Sequence, residues 1–299
     1  MSNSTNVKKK VCPFCLSENI KDLSLVSHLE RIPAGLSRSN EADFQGVLCN
    51  DCRSVTSSQL FNKDLYIDGF YSKSENYDRI TPSYDYTGSL AKKIIYASKK
   101  GKVLDFGAGQ GAAAAHMKNL GAAVDVLDPD EGYQKQLKPN FDNVMSDIKE
   151  IKDKYSCIYA IGVLEHLSDI PDVVTSLYRK LDKDGILVFQ YPNPNGFSAR
   201  FNFNGWDMLF ESGHNFIPSV DGLRSILQRH EIFIESSYSS SIVSRGRVPF
   251  CGTRVVRAEN LVKRLVDKYS FAKYFYNLIW ELQGILGLGE TLVVIIKKK

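Results

Sequence analysis

Four cysteines near the N-terminus fall into two pairs of one spacing, Cys12-Pro13-Phe14-Cys15 and Cys49-Asn50-Asp51-Cys52, with 33 residues between the pairs. Two turns that each present two thiolates supply the four ligands of a tetrahedral Zn²⁺, and a site filled by four protein ligands is structural. A long intervening loop costs little extra once its ends are clamped. A redox dithiol fits less well, because there are two such pairs and neither opens a helix after a strand. Six cysteines in 299 residues are too few for a disulfide scaffold. Cys157 and Cys251 stand apart from the pairs and receive no role.

A second string able to do chemistry is Asp105-Phe106-Gly107-Ala108-Gly109-Gln110-Gly111. Glycines let the backbone turn and approach a ligand without a Cβ clash, and a helix opening behind them offers unpaired N–H groups. The glycines fall at 107, 109 and 111, so the spacing differs from the Gly-x-Gly-x-x-Gly of dinucleotide enzymes. An acid two residues before the first glycine suits a cationic amine and not a pyrophosphate. Asp128, followed by Pro129, closes the next apolar run, where a carboxylate can accept both hydroxyls of a ribose. Asp147 follows the third run and is placed for an adenine amino group, with Ile148 against the ring. Amine, ribose and adenine together describe S-adenosylmethionine (SAM).

The elements that must hold these residues alternate. Short apolar runs at 103–106, 123–127, 144–145, 157–163 and 186–191 predict strands. Periodic segments at 90–98, 112–120, 133–137, 173–181 and 220–229 predict helices. Runs at 232–234 and 291–296 add two more strands. Continuous apolar strands separated by helices imply an α/β protein with a parallel sheet buried on both faces.

With these residues the chain resembles the class I SAM-dependent methyltransferases. The 105–111 string matches their first motif, Asp128 the acid after their second strand, and Val163-Leu164-Glu165-His166-Leu167 the "VLEH" string after their fourth. The resemblance covers about residues 80–240 and the final strand. It implies a Rossmann-like fold with a seven-stranded, mostly parallel sheet and a last antiparallel strand, preceded here by a small zinc ribbon. It assigns the cofactor to Asp105, Phe106, Gly107, Ala108, Gly109, Gly111, Asp128, Pro129, Asp147, Ile148, Gly162, Val163 and His166. The expected organisation is a zinc-binding ribbon over 1–60, a methyltransferase domain with its leading segment over 61–244, a helical insertion over 245–288 and the last strand of the sheet over 289–299.

An N-terminal zinc unit before such a domain is similar to sugar and polysaccharide-pathway methyltransferases, which implies a small, sugar-containing acceptor in cell-surface glycan or deoxysugar synthesis. The run from Tyr191-Pro192-Asn193-Pro194 to His214-Asn215-Phe216 resembles the acceptor-side region of that broad group. His214 is the first choice for a general base, since imidazole titrates near neutrality, and Glu211 lies close enough in sequence to orient it. The residues leave O-, N- and C-methylation open. Tyr71, Tyr77, Tyr84 and Tyr86 are expected to pack ahead of the first helix. The basic amphipathic stretch at 258–283 suits core packing, a homodimer contact or a membrane surface, with the first two favoured.

Charge and composition set bounds on partners. A net charge of +4, from 38 basic and 34 acidic residues, is weaker than the footprint of most nucleic-acid binders. That disfavours the alternative of an RNA methyltransferase using the ribbon to grip RNA. A non-catalytic SAM-binding module that scaffolds a partner is the other alternative. No apolar run reaches the 18 or so residues of a membrane span, and no apolar core follows the N-terminal lysines. A cytoplasmic enzyme, monomeric or homodimeric, is expected.

Overall fold

The computed structural model describes residues 10–26, 43–58, 89–210, 213–240 and 285–299. Glu211, Cys251, the four tyrosines at 71–86 and the amphipathic stretch at 258–283 lie outside them. The N-terminal unit contributes β1 (Ile20–Val26), β2 (Asp43–Cys49) and β3 (Val55–Ser57). The larger unit runs α1 (Ser89–Ser98), β4 (Val103–Phe106), α2 (Ala112–Asn119), β5 (Val124–Leu127), α3 (Glu131–Leu137) and β6 (Val144–Met145). It continues through β7 (Tyr155–Ile161), α4 (Ile170–Arg179), β8 (Leu181–Pro192), α5 (Phe197–Phe201), β9 (Phe216–Ile217) and α6 (Val220–Gln228). It closes with β10 (Ile234–Ser240) and β11 (Thr291–Lys297).

The main sheet has the order β10-β11-β8-β7-β4-β5-β6. From β6 to β8 all neighbours are parallel, and β11 is antiparallel to both β8 and β10. The strands are apolar throughout because both faces are covered: all four residues of β4 and six of seven in β7 and β11 are buried. On one face α1 buries Leu90, Ala91, Ile94 and Ala97, a helical stripe that joins Val103, Cys157 and Val293 in one apolar cluster. On the other face α4 and α6 bury Val174, Leu177, Leu223 and Leu227 against Leu104, Ile158 and Phe189.

Helix starts follow their caps. The Asp130 carboxylate accepts from the N–H groups of Gly132 and Tyr133, so α3 opens two residues before the first periodic apolar side chain. The Asp169 carboxylate accepts from Asp172 N–H, so α4 starts at Ile170 and not at 173. Two strands also exceed their apolar runs. β8 begins at Leu181 because Leu181 pairs with Tyr155 ahead of an irregularity, after which Ile186 pairs with Cys157. β10 covers the polar string Ile234–Ser240, not 232–234, because pairing with β11 and not side-chain pattern defines it.

The cysteine-bearing sheet is completed from a distance. Its order is β1-β2-β3-β9, so its fourth strand comes from residues 216–217. Cys12, Phe14, Cys49 and Cys52 share one apolar cluster with Leu223, Ile226 and Leu227 of α6. The Phe14 and Phe216 rings meet edge to face at 5.9 Å. Ser219, the N-cap of α6, donates its hydroxyl to Cys52 O and its N–H to Ser54 Oγ at 3.0 Å, while Arg229 donates to Phe14 O at 2.9 Å and Pro13 O at 3.1 Å. Gly222 lies at the tightest point, where an added Cβ would stand 2.0 Å from Ser54 Oγ and 3.3 Å from Cys52 Sγ. Gly222→Ala should therefore destabilise the protein by about 1–3 kcal/mol, the usual cost of forcing a methyl into a packed junction. Urea unfolding at equilibrium measures it, and an unchanged midpoint would mean that the two units are not docked in this way.

Candidate active site

The parallel order β6-β5-β4-β7-β8 reverses direction between β4 and β7. A crevice forms at such a switch point, beyond the carboxyl ends of the strands. The 105–111 string, Asp128, Asp147 and Gly162–His166 all sit at those strand ends. The residues chosen from spacing thus converge from four strands.

Gly107, Gly109 and Gly111 have φ of 77°, 53° and 79°, a left-handed backbone that L side chains rarely adopt. Their reasons differ. A Cβ on Gly107 would strike Val163 Cγ2 at 2.4 Å, and one on Gly111 would strike Leu137 Cδ2 at 2.5 Å. Among the described residues, a Cβ on Gly109 would meet nothing within 4 Å. Two of the glycines are therefore small for packing, and the third faces open space where the backbone can meet a ligand. Gly107 and Ala108 donate to Leu127 O at 2.8 and 3.0 Å, which seats the loop over the end of β5. Gly111, the N-cap of α2, makes no side-chain cap bond, and the Ala114 N–H of the first turn bonds the Asp105 carboxylate.

Asp128 holds this loop in shape. Its Oδ2 accepts from Gly109 N–H at 2.7 Å and its Oδ1 from Asp130 N–H at 3.0 Å. Each carboxylate oxygen keeps lone-pair capacity beyond one such bond. Burial pushes its carboxyl up to about 6, while the N–H groups of Asp130 and Gly109 pull it down. Asp105 is 2% exposed, and its Oδ2 finds no hydrogen-bond partner among the described residues. Burial pushes the Asp105 carboxyl up to about 7; the Tyr159 hydroxyl opposes the rise and the Asp128 charge adds to it. Asp105 and Tyr159 are register partners on β4 and β7, a neighbour relation the linear sequence does not display.

The remaining predicted residues take distinct places. Phe106 is buried in the core, and Ala108 and Pro129 are half-buried beside the loop. Asp147 is exposed and its Oδ1 accepts from Lys149 N–H at 2.7 Å, capping the short turn that carries half-buried Ile148. Gly162 ends β7 with φ 67° and donates to Gln190 O at 2.8 Å. Val163 presses on Gly107.

His214 is buried at 3% exposure. Its Nδ1 lies 2.7 Å from Met208 O, and its Nε2 lies 3.9 Å from Glu165 Oε1. The rings of His214 and His166 are 4.7 Å apart. The carboxylate facing His214 in the structure is thus Glu165, which is 1% exposed, while Glu211 lies outside the described residues. Nothing in the sequence pairs positions 165 and 214; the hydrogen bond from Asn215 N–H to Glu165 O does so.

The four cysteine sulfurs also converge, with all Sγ atoms within 4.8 Å of one another. Cys12 and Cys52 are 3.7 Å apart and Cys15 and Cys49 3.5 Å, close to the roughly 3.8 Å between thiolates on a tetrahedral zinc with bonds of about 2.3 Å. Cys52 N–H points to Cys49 Sγ at 3.4 Å. The donor set and spacing fit zinc.

Comparison with known proteins adds the following. A family model described as "Methyltransferase domain" matches residues 83–232, half of the chain. No curated protein matches the chain in sequence. Among solved structures, a SAM-dependent methyltransferase from Archaeoglobus fulgidus is 19% identical, with 70% of this chain and 91% of that chain covered and a TM-score of 0.45. The magnesium protoporphyrin IX methyltransferase of Synechocystis PCC 6803 is 14% identical, covering 80% of this chain and 100% of that chain at a TM-score of 0.48. A possible histamine N-methyltransferase from Thermotoga maritima is 14% identical, covering 78% and 100% at 0.47.

The raised carboxyl of Asp105 has a measurable consequence for the ligand-free protein. An acid at the ordinary aspartate value of 3.8 when unfolded and about 7 when folded binds more protons in the folded state over that window. Its contribution to stability therefore falls as pH rises from about 4 to 7. Asp105→Asn should be more stable than the parent at pH 8, on the order of 2–4 kcal/mol. The difference should vanish near pH 4. Thermal melts of both proteins across that range test it, and a pH-independent difference would refute the burial argument.

Proposed function

The chain belongs to the methyltransferase-domain family, and we propose that it is a SAM-dependent methyltransferase whose glycine loop and acids form the cradle for S-adenosylmethionine. One observation carries this: on the strand that leads into the glycine loop, Asp105 is buried and its Oδ2 has no donor among the described residues, a bond that an ammonium group would supply. Asp105 would take the amine of the methionine part and Asp128 the ribose hydroxyls. Asp147, Ile148, Gly162 and Val163 would surround the adenine. Phe106, Gly107, Ala108, Gly111 and Pro129 shape the backbone around it, and His166 closes the far side.

When bound, the cofactor supplies a methyl group activated by a sulfonium. The chain's own task is then to orient the acceptor and exclude water. The stretches from Tyr191 to Phe197, from Trp206 to Phe210 and from Gly213 to Phe216 would wall the acceptor side, with Glu165 and His166 beside His214. The acceptor in this reading is a small, sugar-containing molecule of cell-surface glycan or deoxysugar synthesis. It is supported by the likeness of the Tyr191–Asn195 and His214–Phe216 strings, and of the N-terminal cysteine unit, to enzymes of those pathways. The four cysteines hold a structural zinc, and β3 of that clamped unit pairs with β9 beside His214.

Calorimetry with S-adenosylhomocysteine should show one site per chain. Gly109→Val should abolish binding, since its side chain would fill the open face of the loop, and retained binding would remove the loop assignment. Affinity should fall as pH drops from 7 to 5, because protonated Asp105 and Asp128 lose the charge that attracts the ligand's ammonium group and each turns one acceptor oxygen into a donor. Metal analysis should find one tightly held zinc lost on Cys15→Ser, with the melting midpoint lower by roughly 10 °C or more. A zinc-free, equally stable parent protein would refute the metal clamp.

A further inference from the structure

A second set of ligand-type atoms converges away from the cysteines. A carboxylate oxygen of Glu165, a ring nitrogen of His166 and a ring nitrogen of His214 all lie within 4.8 Å of one another. Two ligands about 2.1 Å from one ion stand roughly 3–4.2 Å apart, and Glu165 Oε1 to His214 Nε2 is 3.9 Å. That separation is too long for a direct hydrogen bond but suits two atoms that share a cation.

The surroundings are those of a held ligand set. A metal-bound imidazole usually gives its other N–H to a backbone carbonyl, which fixes the ring and its tautomer. His214 Nδ1 lies 2.7 Å from Met208 O, which turns Nε2 toward Glu165. Asn215 fixes the other two: its N–H donates to Glu165 O at 2.8 Å and its Nδ2 to His166 O at 3.0 Å. Glu165 is 1% exposed and His214 3%, whereas His166 is half-buried, so among the described residues the cluster is exposed at His166. The fully buried Tyr191 hydroxyl has no hydrogen-bond partner among the described residues, and the Glu165 charge adds to the rise that burial gives its pKa.

We propose that Glu165, His166 and His214 bind a divalent transition-metal ion, separate from the cysteine cluster, with its open positions turned to the acceptor side of the cleft. Two imidazoles and one carboxylate select ions such as Zn²⁺, Fe²⁺, Co²⁺ or Mn²⁺ and leave coordination positions unfilled. Val163 lies two residues before Glu165 and packs on the cofactor loop at Gly107, so the ion would sit beside the transferred methyl group. An ion there would take an oxygen donor, which points to a hydroxyl-bearing acceptor, and a Lewis acid makes such an oxygen more acidic. His214 then serves as a ligand and not as the base. The proposal rests on the methyltransferase reading.

The test is a Co²⁺ titration of the full-length, zinc-loaded protein, followed by visible absorption. Binding at nitrogen and oxygen donors gives weak d–d bands, whereas Co²⁺ entering the cysteine cluster adds thiolate-to-metal bands. One equivalent with d–d bands alone is expected. His166→Ala and Glu165→Gln should each weaken it tenfold or more. His166→Gln is a second variant in case His166→Ala melts early by circular dichroism. Thiolate bands alone, no binding, or unchanged affinity in folded variants overturns the site. Calorimetry with S-adenosylhomocysteine on the same samples separates the two ideas. Intact cofactor binding without the d–d signal removes the metal site only, and the d–d signal without cofactor binding supports the metal site and counts against the cradle.

Discussion

Asn215 ties together three parts of the molecule that the chain keeps far apart. Its N–H bonds to Glu165 O, its side-chain amide to His166 O, and its own carbonyl accepts from Ser57 N–H at 2.9 Å. The first two contacts fix the turn at the end of β7, and the third reaches the cysteine-bearing sheet. Asn215 is 1% exposed, so each bond is made away from water, where losing a partner costs most. The position of His214, one residue earlier, follows from these bonds. The N-terminal unit is thereby a structural wall of the cleft, since its third strand pairs with the very segment that carries His214.

The cofactor side depends on a different balance. Three left-handed glycines within five residues give a loop of low intrinsic stability, which the carboxylate of Asp128 offsets by accepting Gly109 N–H. That carboxylate and Asp105 are both buried and both pushed up, because burial disfavours their charged forms. A cationic ligand with hydroxyl groups relieves both penalties at once. Strain and desolvation are concentrated where a ligand would repay them, which is a common property of functional sites.

The two sides meet at Val163. Its side chain blocks any residue larger than glycine at 107, and the next turn carries Glu165 and His166. Glycine loop, strand-end turn and cysteine unit thus form one connected path, Gly107 to Val163 to Glu165 to Asn215 to Ser57. Every link in it is a close packing contact, a chain connection or a backbone hydrogen bond.

The sequence by itself determined the order of strands and helices from the first helix to β8, the cysteine tetrad and the acids at the strand ends. Those signals are local: a run of Val, Leu and Ile, a C-x-x-C knuckle, or a glycine string followed by a helix carries its meaning within a few residues. Where boundaries moved, as at α4 and β10, a cap or a pairing partner decided, and neither is part of the apolar pattern. Only the tertiary structure decided that Gly109 faces open space while Gly107 and Gly111 are packed against side chains, since the neighbours in question are Val163, Leu137 and Phe141. It also decided that Glu165 and not a nearer acid faces His214, and that residues 216–217 complete the cysteine sheet. The last two relations join positions 49 to 162 residues apart, and their physical basis is strand register and long-range hydrogen bonding, which side-chain spacing along one segment does not encode.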